Sequence, residues 1–115
     1  VGEYHWILQR DAGDLDALVN TAWIRATHTE AGHRDGAEAV RLAERAVTLS
    51  PEPLAVLQST LAAAYAEAGR FAEACRAGEA AVRLARGAGE RLAAARYARQ
   101  LARYRHGRAY HFAEL

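Results

Sequence analysis

The strongest constraint in this chain is that it repeats itself. Laying residues 39–49 over residues 74–84 pairs Ala39 with Ala74, Ala46 with Ala81 and Leu49 with Leu84, each 35 residues apart. Self-similarity at this period belongs to arrays of small supersecondary units, because one unit cannot bury its apolar face alone and a neighbouring copy covers it. Each copy follows a turn containing glycine, Gly36 or Gly69, and each is preceded by another amphipathic segment, so the unit is a helix hairpin used twice. Composition agrees. Alanine supplies 29 of the 115 residues, against two Pro and two Phe, a bias toward the best helix former and away from strand residues. The expected fold is all-α: antiparallel helix hairpins stacked as a short α-solenoid.

The elements follow from apolar period and from Gly and Pro punctuation. Residues 1–14 read as the tail of a preceding helix and a linker: Tyr4, Trp6, Ile7 and Leu8 form an apolar cluster, and Asp11-Ala-Gly-Asp14 interrupts it, with Asp14 placed to cap the next helix. Leu15, Leu18, Val19, Ala22, Trp23 and Ala26 then make one stripe, followed by a loop over 27–36. A second helix buries Ala39, Val40, Ala43, Ala46, Val47 and Leu42, closing a first hairpin over 15–50 before Ser50-Pro-Glu-Pro53. The second hairpin, 53–86, uses Leu54, Leu57, Leu61, Ala64, Tyr65 and Ala68, then Phe71, Ala74, Cys75, Ala81, Val82 and Leu84, with Gly69 as a left-handed helix cap between them. A capping helix over 90–105 is expected to bury Leu92, Ala94, Tyr97, Ala98, Leu101 and Tyr104, leaving 107–115 as a short tail.

Several classes of function are excluded or disfavoured. A single cysteine, Cys75, rules out an internal disulfide framework and a cysteine-rich zinc module. It reads as a small hydrophobe on a buried face, with no nearby partner for nucleophilic catalysis. No apolar run approaches a membrane span and no secretory signal opens the chain, which points to the cytoplasm. The lack of any Met suggests a piece of a longer polypeptide. His28 and His33 share a loop with Glu30 and Asp35 but lack a recognised metal-ligand spacing, and Gly87-Ala-Gly89 is not a phosphate loop, so no catalytic residue, metal or cofactor is expected.

Charge is polarised: residues 1–38 carry a formal −4 and residues 39–115 a formal +5. Such asymmetry allows self-association or docking on an acidic surface, while the total is too small to argue for nucleic acid by itself. Arg96, Arg99 and Arg103 recur at i, i+3 and i+7 as a basic stripe, interpretable as a solvated face or as a contact for an acidic protein, nucleic acid or membrane surface. All 15 basic residues are Arg, better explained by GC-rich coding than by guanidinium chemistry.

Leu61-Ala62, Tyr65, Gly69, Phe71, Ala74 and Ala81 together resemble the motif of the tetratricopeptide repeat (TPR) family. Gln58, Gly78 and Arg86 depart from it, standing where a large apolar residue, an aromatic and a proline are usual. The earlier copy, Leu18, Ala22, Ala39, Ala46 and Pro51, fits with a loop about five residues longer; a competing register with Trp23 in the first large position would run the helix through Gly32. The resemblance covers roughly residues 12–105 and makes 90–105 the solvating helix. Because two repeats are few, residues 1–10 would then belong to another repeat, or the fragment would dock on a partner or second copy.

The resemblance implies a protein-interaction module without chemistry of its own, holding a peptide or helix of a partner on a concave face. That face would present Asp16, Val19, Asn20, Trp23 and Thr27 from one repeat and Val56, Ser59, Thr60, Ala63 and Glu67 from the next. Trp23 beside Val19 and Ala63 suits an apolar or aromatic anchor; the alternative is that Trp6-Ile-Leu8 covers Trp23 as ordinary core. Two other functions remain open: an accessory domain of an enzyme lying elsewhere in the polypeptide, and a basic module acting through the Arg stripe.

Overall fold

A computed structural model describes residues 3–28 and 34–111, with side chains over 15–28 and 34–111. Its elements are α1 (Glu3–Thr27), α2 (Gly36–Leu49), α3 (Ala55–Glu67), α4 (Phe71–Gly87) and α5 (Arg91–Arg105), and the described residues contain no strand. The break expected at Asp11–Asp14 does not occur. α1 runs through it as one 25-residue helix, so the boundary at residue 14 is absent and Asp14 is not an N-cap. One interior glycine costs about 1 kcal/mol relative to alanine, too little to interrupt a long cooperative ladder flanked by good helix formers.

The connection between α1 and α2, 28–35, is five residues longer than that between α3 and α4, 68–70. Its closing end is well tied. Asp35 is the N-cap of α2, its carboxylate accepting from the Glu38 N–H at 3.1 Å, while its own N–H donates to the Arg25 carbonyl at 2.7 Å. Gly36 then lies against the end of α3: a Cβ there would stand 2.7 Å from the Ala68 nitrogen and 2.8 Å from the Glu67 carbonyl carbon. Two backbones meet at that point with no room for a side chain.

α3, α4 and α5 end alike. Gly69, Gly89 and Gly107 take φ of 81°, 76° and 68°. After α3 the Arg70 N–H donates to the Tyr65 carbonyl and the Gly69 N–H to Ala66, and the same pair of bonds recurs five and three residues back from Glu90 and Gly89, and from Arg108 and Gly107. This is the Schellman arrangement, which returns orphan carbonyls to the chain and reverses its direction within three residues.

Each helix packs on the next, and α1 also packs on α3. The seams are built from alanine. Ala22, Ala26, Ala39, Ala64, Ala74, Ala81 and Ala85 are fully buried, and Ala46 and Ala62 nearly so. The alanine pairs 35 residues apart are therefore equivalent in burial, whereas Leu49 is half exposed. Small side chains let helices approach closely. Gly78 does the same between α4 and α5, where a Cβ would come within 3.0 Å of Leu101 Cδ1.

Three expected core positions fall outside it. Leu54 and Ala68 are exposed and Leu92 is 86% exposed, because each sits at a helix end where the apolar stripe runs past the neighbouring helix. Larger side chains fill the remaining gaps. The Tyr65 hydroxyl, on α3, donates to Glu44 of α2 at 2.7 Å, and Tyr104 is 1% exposed. Cys75 is half-buried and packs against both apolar clusters.

Two outcomes follow. Gly36→Ala lowers stability by about 2 kcal/mol through overpacking against backbone, while Gly87→Ala, whose Cβ would meet nothing within 4 Å, raises it by about 0.5 kcal/mol; denaturant titration of both variants checks the contrast, and equal behaviour would remove the close approach. Burial, together with the Glu44 hydrogen bond, pushes the Tyr65 pKa from 10.0 up to about 12, and burial also raises Tyr104 and Tyr110. The folded chain thus holds these protons more tightly than the unfolded one. Their contribution to stability is complete below the unfolded pKa of 10.0 and is lost as pH rises through the folded values. Tyr65→Phe should flatten the fall in melting temperature between pH 10 and 12.

Candidate binding groove

α3 and α5 enter the same end of the molecule but do not pack backbone to backbone as successive helices do. The trough between them is floored by small side chains of α3. Ser59 Oγ donates to Gln100 Oε1 on α5 at 3.3 Å, and Thr60 Oγ1 to the Val56 carbonyl at 2.8 Å, so both hydroxyls are satisfied without filling the space. One wall is α1, through Val19, Asn20 and Trp23; the other is α5, through Arg96 and Tyr97, the guanidinium 5.6 Å from the ring centre. Tyr110 completes the lining, and the space left open between these residues has a volume of about 430 Å³.

The chain's own end thus forms part of the groove's lining, over Trp23. After the turn at Gly107, Arg103 donates through Nε and Nη2 to the Ala109 carbonyl at 3.2 and 3.1 Å. Tyr110, 5% exposed, sets its ring 5.7 Å from that of Trp23 at an interplanar angle of 42°, and Gln100 lines the groove beside it. His111 Nε2 lies 2.8 Å from Glu67 Oε1, and the other oxygen of Glu67 accepts from Arg34 Nε at 3.2 Å.

Val19, Asn20, Trp23 and Ser59 therefore meet in one groove, with Val56 and Thr60. Thr27 and Ala63 do not line it. Both are 1% exposed; the Thr27 hydroxyl folds back on the Trp23 carbonyl at 2.7 Å, and Ala63 belongs to the core. Glu67 stands beyond the groove, with both oxygens engaged by Arg34 and His111. Tyr110 covers Trp23; the side chains of Trp6-Ile-Leu8 lie outside the described residues, and their backbone belongs to the same helix, about 22 Å up its axis from Trp23 at Leu8.

The basic stripe is divided. Arg96 faces the groove, Arg99 is exposed, and Arg103 is turned onto the tail. Tyr110, His111 and Gln100 were not legible as site residues. The available signal was a Tyr110-His-Phe112 cluster placed after a helix stop, where a solvated tail has no need of rings.

Beyond Val56, Arg96 and Tyr97 the groove continues into a depression of about 550 Å³, where Leu54 (41% exposed), Val56 (47%) and Leu92 (86%) present apolar surface. Among the described residues no group of three His, Cys, Asp or Glu could hold a metal ion, and no helix is long and apolar enough to cross a membrane. Glu30 and His33 of the expected polar loop lie outside the described residues. No family model, curated protein or solved structure matches this chain.

Replacing Tyr110 by Ala in a Trp6→Phe background uncovers Trp23. The expected result is a red-shifted emission that acrylamide quenches faster, with unchanged helical circular dichroism; an unaltered Trp23 signal would mean that Tyr110 does not cover the indole.

Proposed function

We propose that this chain is a protein-interaction module of the TPR kind, part of a larger protein, which holds a peptide or helix of a partner along the groove between α1, α3 and α5. The reading is supported chiefly by one observation: Val19, Asn20 and Trp23 on the first helix of one hairpin converge with Val56 and Ser59 on the first helix of the next. Buried alanines at the motif positions Ala22, Ala62, Ala74 and Ala81 are in keeping with it. So is the longer connection between α1 and α2. The work of such a module is recognition. A rigid ring in a partly desolvated trough gives an anchor for apolar or aromatic side chains, and adjacent Asn20 and Arg96 supply polar contacts that fix orientation.

Selection of a random peptide library against the full chain tests this reading. Enriched peptides should bind wild type and lose about 2 kcal/mol or more, a factor of about 30, with Trp23→Ala. Val56→Glu, at an exposed rim position, should weaken the same peptides while leaving the melting temperature unchanged. Peptides that bind all three proteins equally, or a library that yields none, would overturn the proposal.

A further inference from the structure

The tail covers Trp23 at one half of the groove and leaves the other half open, and the two halves differ in chemistry. In the covered half, a non-helical segment of the chain places an aromatic ring on Trp23 beside Gln100, and just beyond the groove the following imidazole meets Glu67. Arg103 holds the carbonyl before the ring. In the open half, beyond Val56 and Tyr97, Leu54 and Leu92 stand exposed with nothing from the described chain over them. An incoming segment that copies the tail's contacts gains no more than the tail already makes. One that also lays an aliphatic side chain on Leu54 and Leu92 buries surface that the tail leaves in water.

We infer that Ala109–His111 act as an internal ligand, and that the groove's partner is a non-helical peptide segment carrying an aromatic residue followed by a basic one, with an aliphatic side chain for the open half, which displaces the tail on binding. This rests on the interaction-module reading and specifies its ligand. The tail then sets the threshold for binding: apparent affinity is the intrinsic affinity multiplied by the fraction of molecules whose groove is open. A groove closed nine-tenths of the time would weaken every incoming segment about tenfold.

The probe is a fluorescein-labelled peptide with the sequence of residues 107–115, measured by anisotropy against the full chain. Tyr110→Ala should bind it at least tenfold more tightly than wild type, and Arg103→Gln, which releases the Ala109 carbonyl, should shift in the same direction. The same peptide with its tyrosine replaced by alanine should not bind. Extending the probe at its N-terminus so that leucine stands at successive positions before its arginine should tighten binding at one or more positions, and adding Leu92→Glu, at a position already 86% exposed, should abolish only that gain. Equal affinity for wild type and Tyr110→Ala would overturn the internal-ligand inference, as would failure of Tyr110→Ala to bind the probe. If library peptides still bind in a Trp23-dependent way while this probe does not, the inference falls and the interaction-module reading stands; if neither binds, both fall.

Discussion

Close approach between helices through alanine is the constraint on which the rest of the molecule depends. A buried methyl group contributes about 0.8 kcal/mol, against about 1.5–3 for a large apolar side chain, so an alanine seam gains little from transfer out of water. Its advantage is distance. Helices faced with Ala22, Ala39, Ala64, Ala74 and Ala81 can approach near the lower end of the usual 8–10 Å interaxial range, where many weak dispersion contacts act together. At Gly36 even a methyl group is too much, and at Gly78 it would press on the Leu101 side chain. Such seams are intolerant of added volume, and the left-handed caps at Gly69, Gly89 and Gly107 hold the turns that bring the faces together.

The groove is the other side of the same choice. A layer built from small residues leaves the large ones at its margins, so Trp23, Tyr97 and Tyr110 stand around α3 instead of inside it. The face of α3 that meets them carries Ser59 and Thr60, which are satisfied by Gln100 and by the helix itself. Trough floor and helix seam are thus made by one short helix, α3, with alanine on the packed faces and hydroxyls toward the open one. That division explains why the groove is shallow yet polar enough at its base to orient what lies in it.

The parts of the fold governed by local chemistry were legible in the sequence. Glycine after α3, α4 and α5 marked the stops, and the alanine period on α2 and α4 marked the buried faces. Asp11-Ala-Gly-Asp14 misled because weak breakers compete with cooperativity that only a full-length helix supplies. Leu54 and Leu92 misled because period assigns a face without saying where the neighbouring helix ends. For the site, Val19, Asn20, Trp23 and Ser59 could be placed from the hairpin register. Thr27 and Ala63 share that register, but how deeply they sit depends on packing that no spacing encodes. Tyr110 and His111 escaped for a different reason: a segment without helical period carries no local signal of where it will lie.

How firmly that segment is held decides whether the groove can serve anything else. Exposed ion pairs contribute between zero and about 1 kcal/mol, and the pair of His111 with Glu67 is only partly sheltered, its side chains 25% and 18% exposed. The Arg103 contact is to a neutral carbonyl, and a net hydrogen bond of this sort is worth about 1 kcal/mol. The Tyr110 ring is the one deeply buried group, so most of the tail's hold rests on a single side chain against Trp23. A segment fixed at one point is released when that point is contested, whereas a helix packed along its whole alanine face is not. The tail is therefore the element of this fold best suited to exchange with an external ligand, while α1, α3 and α5 keep the groove's walls in place.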